Sequence, residues 1–170
     1  MGKYKIILVY VVVVAAVAGL GFLLFKSSQV GPKDLPGQTF ENQGQTHITE
    51  GSTDHPAYNS NPPTSGWHWP APAPWGVYPG GQPDERLVHN LEHGGIWISY
   101  KPDTVDQNTI NMLNDFAHRF SKIIVEPRAA DTSPITLAAW THLQTLESYD
   151  ETTILKFINA YYDQGPEKVP

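Results

Sequence analysis

The sequence contains no cysteine among its 170 residues and only two methionines, Met1 and Met112. Without thiols no disulfide, thiolate metal site, catalytic cysteine or acylated lipoprotein cysteine can form, and a soft Cu(I) site is disfavoured. Basic charge is also scarce. Beyond Lys26 there are 8 Lys and Arg against 17 Asp and Glu, a formal net charge of −9. That balance argues against nucleic acid and against docking on anionic lipid, and suits a cation or a neutral partner. Missing too are the nucleophile elbow G-x-S-x-G, the P-loop and the dinucleotide-binding glycine fingerprint.

Charge of either sign is absent from one stretch in particular. Ile6 to Phe25 is a run of 20 uncharged residues, with Lys3 and Lys5 before it and Lys26 after it. At about 1.5 Å per residue a helix of that length spans roughly 30 Å, the thickness of a bilayer's hydrocarbon core. Residues 1–26 are therefore expected to be a transmembrane anchor. A cleavable signal peptide is the competing reading, since Ala16-Val17-Ala18 resembles a cleavage site, but the apolar run continues past it to Phe25. The flanking lysines nearly balance, so orientation rests little on them. The acidic, cysteine-free remainder agrees with a single-pass protein of the cytoplasmic membrane whose C-terminal domain lies on the extracytoplasmic side.

Beyond the anchor the chain divides by composition. Residues 27–45 are polar, with Pro and Gly and little periodicity, and predict a linker. Residues 46–166 are expected to form one soluble domain and residues 167–170 a tail. Eight prolines fall between Pro56 and Pro83, together with Tyr58, Trp67, Trp69, Trp75 and Tyr78. Proline excludes regular structure there, while rings that large need burial. An ordered loop, pinned by its aromatics, reconciles the two. The pattern then predicts helices over 84–93, 108–120 and 151–162 and strands over 96–100, 122–126 and 135–141. Asp84 is expected to cap the first helix and Gly94-Gly95 to end it. The fold class is α+β, a small sheet packed by two amphipathic helices.

Five of the seven histidines, His47, His55, His68, His89 and His93, lie within 47 residues. His89 and His93 stand at i and i+4, which puts both imidazoles on one helical face at a spacing that suits two nitrogen ligands. With His68 from the neighbouring loop they make a candidate Zn²⁺ or Cu²⁺ site, with His47 or His55 as a fourth ligand. His118 projects away from its helix's apolar face and reads as solvent-facing; His142 reads as a loop residue. His89-Asn90-Leu91-Glu92-His93 also spells H-x-x-E-H, in which two histidines bind zinc and Glu92 would serve as general base. Such a hydrolase needs a further acidic ligand, for which Glu126, Glu147 and Glu151 are available, and a cleft that a domain this small has little room for. A third alternative assigns no metal at all: His and Glu side chains form a buried hydrogen-bonded network in a structural or interaction module.

Two segments carry a resemblance. Tyr58-Asn59-Ser60-Asn61-Pro62-Pro63-Thr64-Ser65-Gly66-Trp67-His68 and Leu87-Val88-His89-Asn90-Leu91-Glu92-His93-Gly94-Gly95 resemble the PPTSGPH and VHxLEHG motifs of bacterial domain-of-unknown-function family 3105. The likeness covers roughly residues 44–166. Trp67 departs from it, standing where the family more usually has proline. The resemblance implies an N-terminal membrane segment and marks His47, His68, His89, Glu92 and His93, with His55 less tied to the motifs. It implies no activity, substrate or protein partner.

Overall fold

A computed structural model describes Gly2 and residues 35–168. The chain divides into two compact units, Met1–Leu35 and Pro36–Pro170, and the second carries the sheet, its helices and the histidine cluster. The expected anchor over 6–25 lies outside the described residues. Among those described, no helix is long and apolar enough to cross a membrane.

The second unit is built on a six-stranded mixed sheet. Its strands are β1 (Gln38–Thr39), β2 (Gly76–Val77), β3 (Ile96–Tyr100), β4 (Ile123–Pro127), β5 (Ile135–Ala139) and β6 (His142–Leu146), and its helices α1 (Asp84–Glu92), α2 (Gln107–Arg119) and α3 (Glu151–Tyr161). The order across the sheet is β1-β6-β5-β3-β4-β2. β3 and β4 are parallel, joined by a crossover through α2, and β2 adds in parallel at β4's free edge; the remaining pairs are antiparallel.

Side chains alternate across a strand, and β3 shows what the alternation builds. Ile96, Ile98 and Tyr100 face a core made with Leu113 and Phe116 of α2 and Ile154, Phe157 and Ile158 of α3. Trp97 points to the other face, where it meets Leu87, Val88 and Leu91 of α1 and the partly buried rings of Tyr58, Trp75 and Tyr78. A strand buried on both sides reads as a near-continuous apolar run, and IWISY is one, broken by Ser99, whose buried hydroxyl donates to Asp131 Oδ2 at 2.5 Å. The expected pair of amphipathic helices thus covers one face only. The opposite face is covered by a third helix and the Pro/Trp-rich loop.

Helix ends follow local chemistry. Asp106 caps α2, its carboxylate accepting from Thr109 N at 2.7 Å, and Asp150 caps α3 by accepting from Thr152 and Thr153 N. At α1 the expected cap is displaced by one residue. Pro83 holds the cap position with no side-chain bond, while the Asp84 carboxylate is taken by Arg128, at 2.9 and 2.6 Å. Gly94, at φ +79°, ends α1.

Three strands escape the sequence pattern. β1 falls inside the stretch whose composition predicts a linker, and like β2 it is two residues long. β6 is hidden behind the expected strand over 135–141, which in fact stops at Ala139. Trp140 and Thr141 then form a two-residue turn, with Thr141 at φ +62° and Ala139 paired to His142. Hairpins of that length are usually signalled by Asn-Gly or Asp-Gly, and a threonine gives no such cue.

Candidate metal centre

α1 is short, yet it buries Leu87, Val88, His89, Asn90, Leu91 and Glu92. Burying three polar side chains on one helix is costly unless each finds a partner, and each does. Asn90 grips the Pro/Trp-rich loop with both ends of its amide: Ala73 N donates to Oδ1 at 2.9 Å and Nδ2 donates to Ala73 O at 2.8 Å. His89 reaches the same loop, its Nδ1 lying 2.7 Å from Trp69 O. Glu92 turns toward His68, with Oε2 3.0 Å from Nε2.

His68 is fixed by its own loop. Its Nδ1 lies 2.7 Å from the carbonyl of Gly66, a residue at φ +123° whose missing side chain leaves room for the ring of Tyr58. Residues 44–48 run alongside this loop. Gly66 N donates to Gly44 O, His68 N to Thr46 O at 3.0 Å and Ile48 N to His68 O at 2.8 Å. That parallel bridge sets His47 beside His68. The His47 ring stacks on His89 at 5.1 Å between centroids and stands edge-on to His68 at 4.9 Å.

The tautomers follow from these contacts. A carbonyl can only accept, so Nδ1 of both His68 and His89 carries the proton that it donates. In the neutral ring this leaves the Nε2 lone pair facing inward, an arrangement common around bound metals, where a backbone carbonyl orients the imidazole. Burial lowers the His89 pKa, with the Trp69 carbonyl opposing it, and so favours the neutral ring.

His47, His68, His89 and Glu92 bring one ligand atom each to within 4.8 Å of all the others. Measured to Glu92 Oε2, the Nε2 atoms of His68, His89 and His47 lie at 3.0, 3.8 and 3.9 Å. Ligands held at about 2.0–2.1 Å on a tetrahedral ion stand about 3.3 Å apart, so these spacings bracket what zinc-type coordination needs. A second set overlaps the first: His89, Glu92, His93 and Glu167. Here His89 and His93 place Nε2 atoms 3.0 Å apart, and His93 Nε2 lies 3.3 Å from Glu167 Oε2.

The structure thus brings together His47, His68, His89, Glu92 and His93. His55 is not among them. Its Nε2 lies 3.4 Å from Glu85 Oε1 and its Nδ1 2.8 Å from Pro56 O, with the ring against Tyr58. His118 is exposed on α2, and His142 opens β6 and stacks on Tyr161 at 4.1 Å. None of the three downstream acids that the sequence offers reaches the cluster's ligand sets. Glu126 accepts from Gln82 N, Glu151 pairs with Arg119, and Glu147 is exposed.

Two members lie outside the sequence expectation. Gln45, in the stretch that reads as a linker, donates from Nε2 to Glu92 Oε1 at 2.6 Å and leaves Oε2 for the histidines. Glu167, in the stretch that reads as a tail, is held by its backbone: Glu167 N donates to Glu92 O at 3.1 Å and Asp163 N to Gly94 O at 2.8 Å. The approach requires glycine on both sides, since a Cβ on Gly165 would fall 2.1 Å from Glu92 O and one on Gly94 2.7 Å from Asp163 Cα. In the sequence Gly94-Gly95 reads simply as the end of the first helix.

Fold and site together define an α+β domain with a buried His/Glu cluster able to hold a metal ion. The chain belongs to the family described as "Protein of unknown function (DUF3105)", whose model matches residues 50–170. The match takes in His68, His89, Glu92, His93 and Glu167, whereas Gln45 and His47 precede it. No curated protein and no solved structure matches the chain.

Proposed function

We propose that this protein is a metal-binding domain that holds Zn²⁺ or Cu²⁺ on His47, His68, His89 and Glu92, with His93 and Glu167 adjoining, and that Ile6–Phe25 anchors it on the outer side of the cytoplasmic membrane. One observation carries the metal reading: two buried histidines, each with Nδ1 committed to a carbonyl, aim Nε2 at the same buried carboxylate. Imidazole with one carboxylate is the donor set that borderline divalent ions prefer. The anchor is supported by the 20 uncharged residues, and the outward orientation by the acidic, cysteine-free remainder.

The His68–Glu92 contact at 3.0 Å also favours a second reading, an imidazolium donating to Gly66 O and Glu92 in a purely structural network. His89 fits either reading: its Nε2 lies 3.0 Å from His93 Nε2, where it accepts from the His93 N–H or turns its lone pair to an ion. Elemental analysis and titration of the full chain, purified in detergent without a polyhistidine tag, separate the two. Bound Zn or Cu at about one ion per chain, lost in His89→Ala, supports the metal site. A metal-free chain whose melting is unmoved by either ion rules it out. Protease accessibility in intact spheroplasts tests the outward face.

A further inference from the structure

The two ligand sets are not a single large site. His93 is absent from the first group and His47 and His68 from the second, while His89 and Glu92 belong to both. His89 is the arbiter. Its Nδ1 is committed to Trp69 O, so it offers one lone pair, on Nε2, and one lone pair holds one ion at a time. Glu92, common to both groups, is held by Gln45, which donates to its Oε1.

Resting on the metal-binding reading, we infer that the cluster provides two alternative positions for a single ion, one completed by His47 and His68 and the other by His93 and Glu167. An ion shifting between them keeps His89 and Glu92 throughout, so it is never released from two protein ligands. The exchangeable ligands include the accessible ones. The His47 and Glu167 side chains are 48% and 50% exposed, against 3% for Glu92. The ion can therefore be taken up at one exposed ligand and presented at the other, as a hand-over site requires and a closed structural one does not.

Alternative positions have a thermodynamic signature, because the observed association constant is the sum of two. His47→Ala disables the first and Glu167→Ala the second; both residues are exposed, so the fold tolerates either change, which circular dichroism checks. Zn²⁺ and, in parallel, Cu²⁺ are titrated into the full chain and the three variants. For positions of comparable strength each single variant loses no more than about 2–5-fold in affinity and still binds one ion. The double variant then loses more than about 100-fold, far beyond the product of the singles. Two ions per wild-type chain would overturn the inference and leave the metal-binding reading intact. So would either single variant that is as damaged as the double. A wild type that binds neither ion defeats the underlying reading itself.

Discussion

His68 Nε2 and Glu92 Oε2 lie 3.0 Å apart, although 24 residues separate them in the chain. Their meeting depends on a loop that cannot form regular structure and a helix that buries its polar face, and each holds the other in place. Four consequences can be measured.

Gln45 acts on the cluster through Glu92, whose Oε1 it holds at 2.6 Å. Partners of that kind typically set metal affinity by 10–100-fold. Gln45→Ala is expected to weaken ion binding by about that factor and to cost the apo protein about 1–3 kcal/mol, since it takes the donor from an oxygen of buried Glu92. An unchanged Kd would show that Glu92 is oriented without it.

Asn90 is expected to matter for stability. Its two bonds to Ala73 fix the loop that carries His68, and removing the amide leaves a buried donor and acceptor unpaired at about 1–3 kcal/mol each. Asn90→Ala should therefore cost about 2–5 kcal/mol by equilibrium denaturation of the apo protein. A loss below about 1 kcal/mol would mean that the loop re-pairs with solvent.

Gly94 stands at φ +79° with Asp163 packed against it. Gly94→Ala imposes a left-handed residue and a backbone clash together, and is expected to cost at least about 1–3 kcal/mol. In the same variant amide exchange should accelerate at Asp163 and Glu167, whose N–H groups bond to Gly94 O and Glu92 O. Unaltered protection at those amides would place the strain elsewhere.

Glu126 predicts a pH dependence unrelated to the metal. Burial raises its pKa to about 8, with the Gln82 N–H opposing. The folded state therefore holds a proton that the unfolded chain releases near its ordinary value of 4.5. The stability that this contributes is complete below about pH 4.5 and declines as pH rises toward about 8. Glu126→Gln, which stays neutral, should match the wild type near pH 5 and exceed it by on the order of 2–4 kcal/mol at about pH 9. Parallel pH profiles for the two proteins would refute the assignment.

The amphipathic helices, the buried strand IWISY, the loop pinned by all its aromatics but Trp67, which is 38% exposed, and the pair His89/His93 are legible from periodicity and composition. These features are local, because residues that share a helical turn or a strand declare their common face by spacing alone. The family motifs likewise mark His68 and Glu92. Tertiary structure decided which marked residues meet. It set His47 beside His68 through a parallel bridge and left His55, only one loop further along the chain, paired with Glu85. It also drew in Gln45 and Glu167 from stretches that composition assigns to a linker and a tail. No pattern in the chain encodes such contacts, because they depend on backbone segments distant in sequence approaching one another. At the end of α1, glycines remove the side chains that would otherwise keep those segments apart.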